Sequence, residues 1–427
     1  MTVLHRREDG RWTLVSAYGL AVLTLILALN YADRQILGLV LPLIKREMHL
    51  SDLSLGLITG FVFVLFYSIL GVPIGRLADR RSRRNILGIG LAFWSLMTFL
   101  SGFVVNIWQL AAARFLMGAG EATVIAPSLS IVADMFDRAR RPLAIAILAS
   151  GSSLSALLFF PAIGWLAQNY GWRVCFIVSG AFGIAAAALL FLTVPEPLRA
   201  GTRDGEETIQ ESVGATVRFL LGSRAYIMIL LGGAFMGISV YAAQVWFPTF
   251  LVRVHHLNML QIGYSIGLVR GVAGLTGTIA GGLVTAWLAQ FDDRWRLWIP
   301  GFACMLILPA QLLFLLSPSL PIALGGMLLG EFFFAVQIGP IYAACQVVAR
   351  PAMRATATAT FLFFANVFGQ VIGPLTVGYL NDRWAAAYGP EAIRFSLIFG
   401  SACALLGGLF LVVGARSLTR DLARAEA

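Results

Sequence analysis

Over most of the chain, apolar residues neither alternate nor keep to one helical face. They run on in twelve stretches, at approximately 14–41, 53–76, 86–105, 110–136, 142–167, 173–193, 225–250, 261–289, 297–316, 319–349, 352–381 and 391–415. About 18 or more apolar residues in helical form match the hydrocarbon thickness of a bilayer, so each stretch predicts a membrane-spanning α-helix. Lipid offers no partner to a backbone amide, and a helix satisfies its own, which makes the expected fold all-α and polytopic. The longest polar interval divides the spans six and six. The expected organisation is two pseudo-symmetric six-helix bundles, 1–194 and 225–427, joined by a linker, 195–224. In that linker Ile209, Val213, Val217 and Leu221 recur every four residues, which predicts a short amphipathic helix lying on the membrane surface.

Composition agrees: 59% of residues are hydrophobic and 12% charged, and mean hydropathy is +0.84. A water-soluble surface cannot be assembled from this chain. The formal charge of +10 would suggest a nucleic-acid partner, but the basic residues cluster in short loops between apolar spans. They are concentrated on one side, which predicts a multi-pass protein of the inner (plasma) membrane with both termini cytoplasmic and no nucleic-acid partner. No cleavable signal is expected. Weak repeats link the halves: Gly56 and Gly75 in the second span correspond to Gly263 and Gly282 in the eighth, and Pro161 with Gly164 in the fifth to Gly373, Pro374 and Gly378 in the eleventh.

Charges inside spans need a reason, because each costs roughly 2.5–3.5 kcal/mol at the bilayer centre. The fourth span, read as one helix from Leu110 to Phe136, carries Arg114 and Glu121 two turns apart on one face. Asp33 and Arg34 lie in the first span, Arg270 in the eighth and Glu331 in the tenth, and these six charges sum to zero. Depth along the helices suggests that Asp33 pairs with Arg114, with Glu121 nearer the midplane, and that Arg270 and Glu331 either pair or bind substrate. Desolvation favours a protonated Glu121 and a nearby arginine favours the carboxylate, so a change of conformation could load and release a proton. The competing reading is ion pairs that only fix helix packing.

The loop after the second span reads Gly75-Arg-Leu-Ala-Asp79-Arg80-Arg-Ser-Arg83-Arg84. It resembles the signature of the major facilitator superfamily, at that family's standard place, and the twelve spans and the fourth-span Arg114-x-x-x-Gly118-x-Gly120 resemble it as well. Asn30-Tyr31-Ala-Asp33-Arg34, the Pro42 to Lys45 segment and Gly120-Glu121-Ala122 look like the spinster branch, whose eukaryotic members move sphingolipids and lysolipids and whose bacterial members are regarded as proton-coupled. An Asp-Arg in span one and an Arg with Glu-Ala in span four also occur in the organic-anion symporter branch. The resemblance implies gating by Gly75, Asp79, Arg80 and Arg84, with Asp134 and Arg138 as partners of that loop. Ala286 stands where a second such loop would carry its aspartate, and Phe160 replaces the first glycine of the antiporter motif.

The chain is thus expected to be a monomeric, proton-coupled transporter working by alternating access around a midplane cavity lined mainly by spans one, four, seven and ten. Proton coupling is assigned to Asp33, Arg114 and Glu121. Cargo contact is assigned to Asn30, Tyr31, Arg34, Arg270 and Glu331, together with Tyr241, Trp246, Asn366 and Gln370. The cargo expected is an amphiphile such as a lysophospholipid or sphingoid lipid. A proton-coupled symporter of small organic anions is the alternative, and an integral-membrane enzyme or non-transporting sensor is the alternative from another class. No cofactor or metal is expected: there is no P-loop, no HExxH, and Cys175, Cys304, Cys345 and Cys403 show no CxxC spacing.

Overall fold

The structure, a computed structural model, describes residues 13–62, 64, 81–137, 140–196 and 213–426. These form helices α1 (Leu14–Met48), α2 (Asp52–Thr59), α3 (Arg83–Ser101), α4 (Ile107–Glu121), α5 (Ile125–Met135), α6 (Arg141–Ala149), α7 (Gly151–Leu154) and α8 (Phe160–Tyr170). There follow α9 (Trp172–Thr193), α10 (Val213–Leu221), α11 (Arg224–His255), α12 (Met259–Leu288), α13 (Trp295–Leu316), α14 (Leu320–Val347), α15 (Arg354–Tyr388) and α16 (Ala392–Glu426). Among the described residues there is no strand, and each of the twelve predicted spans has helix at its place, the second through its described start.

Two spans predicted as single helices are interrupted. The fourth divides at Ala122 to Val124 into α4 and α5. Pro127, in the first turn of α5, has no N–H for the carbonyl four residues back. Thr123 Oγ instead donates to the Gly120 carbonyl (2.8 Å) and Val124 N to the Glu121 carbonyl (3.2 Å), closing a tighter turn. The fifth span contains a π-helical turn, Ser155–Phe159, between α7 and α8. Pro161, in the first turn of α8, accounts for the break by the same missing donor.

The chain packs into two compact units that differ from the sequence halves. The first comprises 1–50, 61–205 and 258–267, and the second 51–60, 206–257 and 268–427. In the first unit, the Gln168 side chain accepts the Met259 N–H at the start of α12 (3.1 Å). A Cβ on Gly263 would stand 2.5 Å from the Phe160 carbonyl oxygen, so only glycine lets α12 approach α8 so closely. In the second unit, the Asp382 carboxylate of α15 accepts the N–H groups of Asp52 (3.0 Å) and Leu53 (2.8 Å) at the start of α2. A Cβ on Gly56 would stand 2.5 Å from the Pro374 carbonyl oxygen. The repeat seen in sequence therefore has a physical basis: corresponding glycines mark corresponding helix crossings. Gly282 has open space around it, and Gly75 lies outside the described residues.

The linker helix differs from its prediction. In α10 the buried residues are Thr216 and Leu220, whereas Leu221 is exposed. Leu220 joins the second unit's apolar core, and the guanidinium groups of Arg350 and Arg424 sit over the Phe219 ring at 4.9 and 4.5 Å. Packing on the protein has rotated the buried face about one residue from the predicted stripe; Ile209 lies outside the described residues.

Candidate functional site

Neighbouring residues on a helix point about 100° apart, so Asp33 and Arg34 must meet different elements. Asp33 turns to α3, where Trp94 Nε1 donates to Asp33 Oδ2 (3.0 Å). Arg34 turns to the end of α4, where its Nε is 2.5 Å from Glu121 Oε2. Glu121 is fully buried, and the Arg34 side chain is 21% exposed. As the last residue of α4, Glu121 also lies at the negative end of the helix dipole, which disfavours a carboxylate and increases its need for a cation. Arg114, 2% exposed, crosses from α4 to the backbone of α1, its Nη1 donating to the Asp33 carbonyl (3.3 Å) and its Nη2 reaching the Arg34 carbonyl (3.5 Å). Two cations and two acids are thus gathered inside the first unit.

The pairing differs from the sequence expectation. Arg114 meets residue 33 through its main-chain oxygen, the indole of Trp94 serves the Asp33 carboxylate, and Arg34 forms the close ion pair with Glu121. Trp94 was not anticipated. Its place depends on Gly120, where a Cβ would stand 2.7 Å from Trp94 Cβ; without one, α3 and α4 close up and bring the indole to Asp33. Asn30 is buried beside these groups on α1, and Tyr31 packs at the edge of the first unit's core.

The second unit brings Arg270 and Glu331 together, Nε to Oε1 at 3.0 Å. Tyr241 donates to Asn366 Oδ1 (2.7 Å), and Gln370 is buried one turn further along α15. Trp246, expected to touch cargo, is fully buried, and its N–H donates to the Pro374 carbonyl (3.0 Å), bracing α11 against α15. Glu331 also lines a small cavity of about 20 Å³ among α11, α13 and α14. Asp52, given no site role from the sequence, is buried and takes both Nη atoms of Arg253 (2.6 and 2.8 Å). A single acid beside a predicted loop gives no sign of burial.

Of the expected gating residues, Gly75, Asp79, Arg80 and Arg138 lie outside the described residues. Arg84 donates to the Val194 carbonyl (3.2 Å), and Asp134 pairs with Arg83, a residue the motif-based assignment omitted. Glu196 completes this cluster. Its carboxylate accepts from Ser82 Oγ (2.5 Å), Arg83 N (3.1 Å) and Arg84 N (2.8 Å) at the start of α3, and from Arg83 Nε (3.3 Å). Partial burial pushes the Glu196 carboxyl up, but these donors outweigh it and hold the group below its ordinary value of 4.5. Among the described residues no cluster of His, Cys, Asp and Glu could hold a metal.

Buried, mutually compensating charges on long apolar helices are a transporter's arrangement, and comparison with known proteins agrees. The Major Facilitator Superfamily model matches residues 23–374. An MFS-type efflux pump of Mycolicibacterium smegmatis is 31% identical over 402 residues, 94% of this chain and 93% of the relative. A probable galactarate/D-glucarate transporter of Escherichia coli is 28% identical, covering 91% of each chain. The sphingosine-1-phosphate transporter SPNS2 of Danio rerio is 26% identical, over 93% of this chain and 83% of that one. The crystal structure of a bacterial homologue of the human lysosomal transporter spinster, inward-facing and unoccupied, superposes with a TM-score of 0.84 at 25% identity, covering 96% of this chain and 99% of that one. The chain belongs to the Major Facilitator Superfamily of membrane transporters, where it stands with the spinster-like proteins.

Proposed function

We propose that this transporter is proton-coupled and moves an amphiphile with an anionic headgroup, such as a lysophospholipid or a sphingoid phosphate, by alternating access. The observation that carries the reading is the fully buried Glu121 held by a partly exposed Arg34. A proton on Glu121 weakens its hold on the guanidinium, and the partly exposed Arg34 then takes another anion, which a phosphate headgroup supplies. Proton and headgroup thereby favour each other's binding, and the linkage is reciprocal. Arg114, fixed on the α1 backbone, keeps α1 and α4 in register while the pair rearranges, and Trp94 holds Asp33 in place. Likeness to a sphingosine-1-phosphate transporter supports a lipid cargo. Likeness to a galactarate/D-glucarate transporter favours a second reading, a proton-coupled symporter of small organic anions, in which Arg34 takes a carboxylate.

The test is uptake into proteoliposomes under an imposed pH gradient, with lysolipids, sphingoid phosphates and sugar acids screened together. Glu121→Gln should fold and bind cargo while losing gradient-driven flux by about tenfold or more. Undiminished proton-driven flux in that variant refutes the coupling assignment. Flux of sugar acids alone selects the second reading.

A further inference from the structure

The segments 213–224, 348–354 and 416–425 hold seven arginines and one acid, Asp421. The fold gathers them at one end of the second unit, where Leu220 of α10, Val348 and Met353 before α15, and Leu418 of α16 share one apolar core. Asp421 is buried, and its Oδ2 accepts from Ser223 Oγ (2.8 Å) and the Ala225 N–H (2.8 Å), which commits it to the start of α11. Its other oxygen stands 3.5 Å from Arg420 Nε. Six of the arginines, at 218, 224, 354, 416, 420 and 424, are exposed. Arg350 and Arg424 share the Phe219 ring, 4.9 and 4.5 Å from its centre, so the two cations stand no further apart than those distances combined. Gly222 makes room for this, since a Cβ there would stand 2.7 Å from Arg424 Nη2.

A loop arginine that only sets topology needs no fixed place. Here two like charges are held on one ring against their mutual repulsion, and the cation–π contact orders both. Guanidinium forks ordered in advance suit a phosphate, which each can grip through two N–H groups, and the entropy of ordering is lost before the ligand arrives. Position decides which phosphate. The apolar run of the twelfth span ends near 415, whereas α16 continues to Glu426, with Arg416, Arg420 and Arg424 recurring every four residues along the continuation. These arginines therefore stand past the hydrocarbon, at the level of the headgroups. On α10, Leu221 is 54% exposed and lies three residues from Arg218, on the same face. A cation beside an apolar side chain fits a headgroup and the start of its acyl chain, whereas a dissolved anion would use only the cation. We propose that Arg218, Arg350, Arg420 and Arg424, arranged about Phe219 and flanked by Leu221, form a docking surface for the anionic phospholipid of the bilayer. The surface includes no residue assigned to coupling or cargo, so it stands or falls apart from the transport reading.

The test places the full-length protein in nanodiscs of phosphatidylcholine and phosphatidylglycerol with the same acyl chains in equal amounts. The lipids that stay bound after extraction into a neutral detergent are then counted by mass spectrometry. Each basic residue near an anionic surface strengthens the attraction several-fold, so the wild type should retain phosphatidylglycerol about tenfold over phosphatidylcholine, and less selectively as salt rises. Arg350→Gln with Arg424→Gln, and separately Arg218→Gln with Arg420→Gln, should each bring the preference to within about threefold. Arg46→Gln with Arg383→Gln removes the same charge near the C-terminal ends of α1 and α15 and should leave the preference unchanged. The two pairs alter different side chains of the surface, so if melting in lipid-free detergent shows one variant to be misfolded, the other decides. Equal retention of both lipids by the wild type is the result expected if Asp204, Glu206, Glu207 and Glu211, which precede α10 in sequence, neutralise the arginines, and it overturns the surface. So does a preference that survives both pairs of substitutions, or an equal loss in the control variant, which would report net charge alone.

Discussion

At the residue scale the decisive feature is which charge meets which. Composition along the spans marks Asp33, Arg34, Arg114 and Glu121 as anomalies, but each could have paired with either opposite charge nearby. The choice follows from side-chain direction: Asp33 points to Trp94, and Arg34, one residue on, points to Glu121. Because Glu121 is fully buried, removing its partner leaves an uncompensated charge away from water. Arg34→Gln should therefore destabilise the protein by about 3 kcal/mol or more, and the double variant Arg34→Gln with Glu121→Gln should recover most of the loss. Unfolding in detergent measures both. A double variant no more stable than the single one would show that the pair does not act as a unit.

Among the elements, the helix ends carry chemistry that the helices' apolar faces do not. The Glu196 carboxylate satisfies the first amides of α3 and holds Arg83 against Asp134. Its folded value lies below its ordinary one, so its contribution to stability is fully present above that ordinary value and is lost as pH falls through the depressed one. Thermal stability should decline on acidification into and below the range of ordinary carboxylates, and Glu196→Gln should show a smaller decline at the cost of lower stability near neutrality. Melting curves from pH 7 to about 3 decide it; parallel curves for the two proteins would remove Glu196 from the linkage. Spans four and five carry a related lesson. Hydropathy reports an unbroken apolar run in each, and Pro127 and Pro161 nevertheless interrupt the helix, in span four directly beside Glu121.

For the whole molecule, the basic residues gathered in loops on one side predict that both termini face the cytoplasm. Single cysteines introduced near each end into a variant lacking the native thiols should be labelled by an impermeant maleimide only after the membrane is opened. Labelling of either end in intact cells would reverse the orientation. Two short segments, 51–60 and 258–267, join the opposite unit, which was not legible from the linker that divides the spans six and six. The start of α2 belongs with the second unit through Asp382 and the Asp52–Arg253 pair, and the start of α12 with the first through Gln168. Sequence adjacency places these segments in one half, and hydrogen bonds place them with the other unit.

What the sequence determined by itself is everything the bilayer enforces. Twelve long apolar runs must become helices, because lipid leaves the backbone no other way to satisfy its amides, and charges within them must be gathered and balanced. The repeat glycines were visible too, since close helix crossings tolerate little else. What the tertiary structure alone decided is rotation and approach. The indole of Trp94 on Asp33, the guanidinium of Arg34 on Glu121 and the burial of Trp246 depend on how each helix is turned. A one-residue shift turns a side chain about 100°, and an apolar run with no polar face does not record that angle.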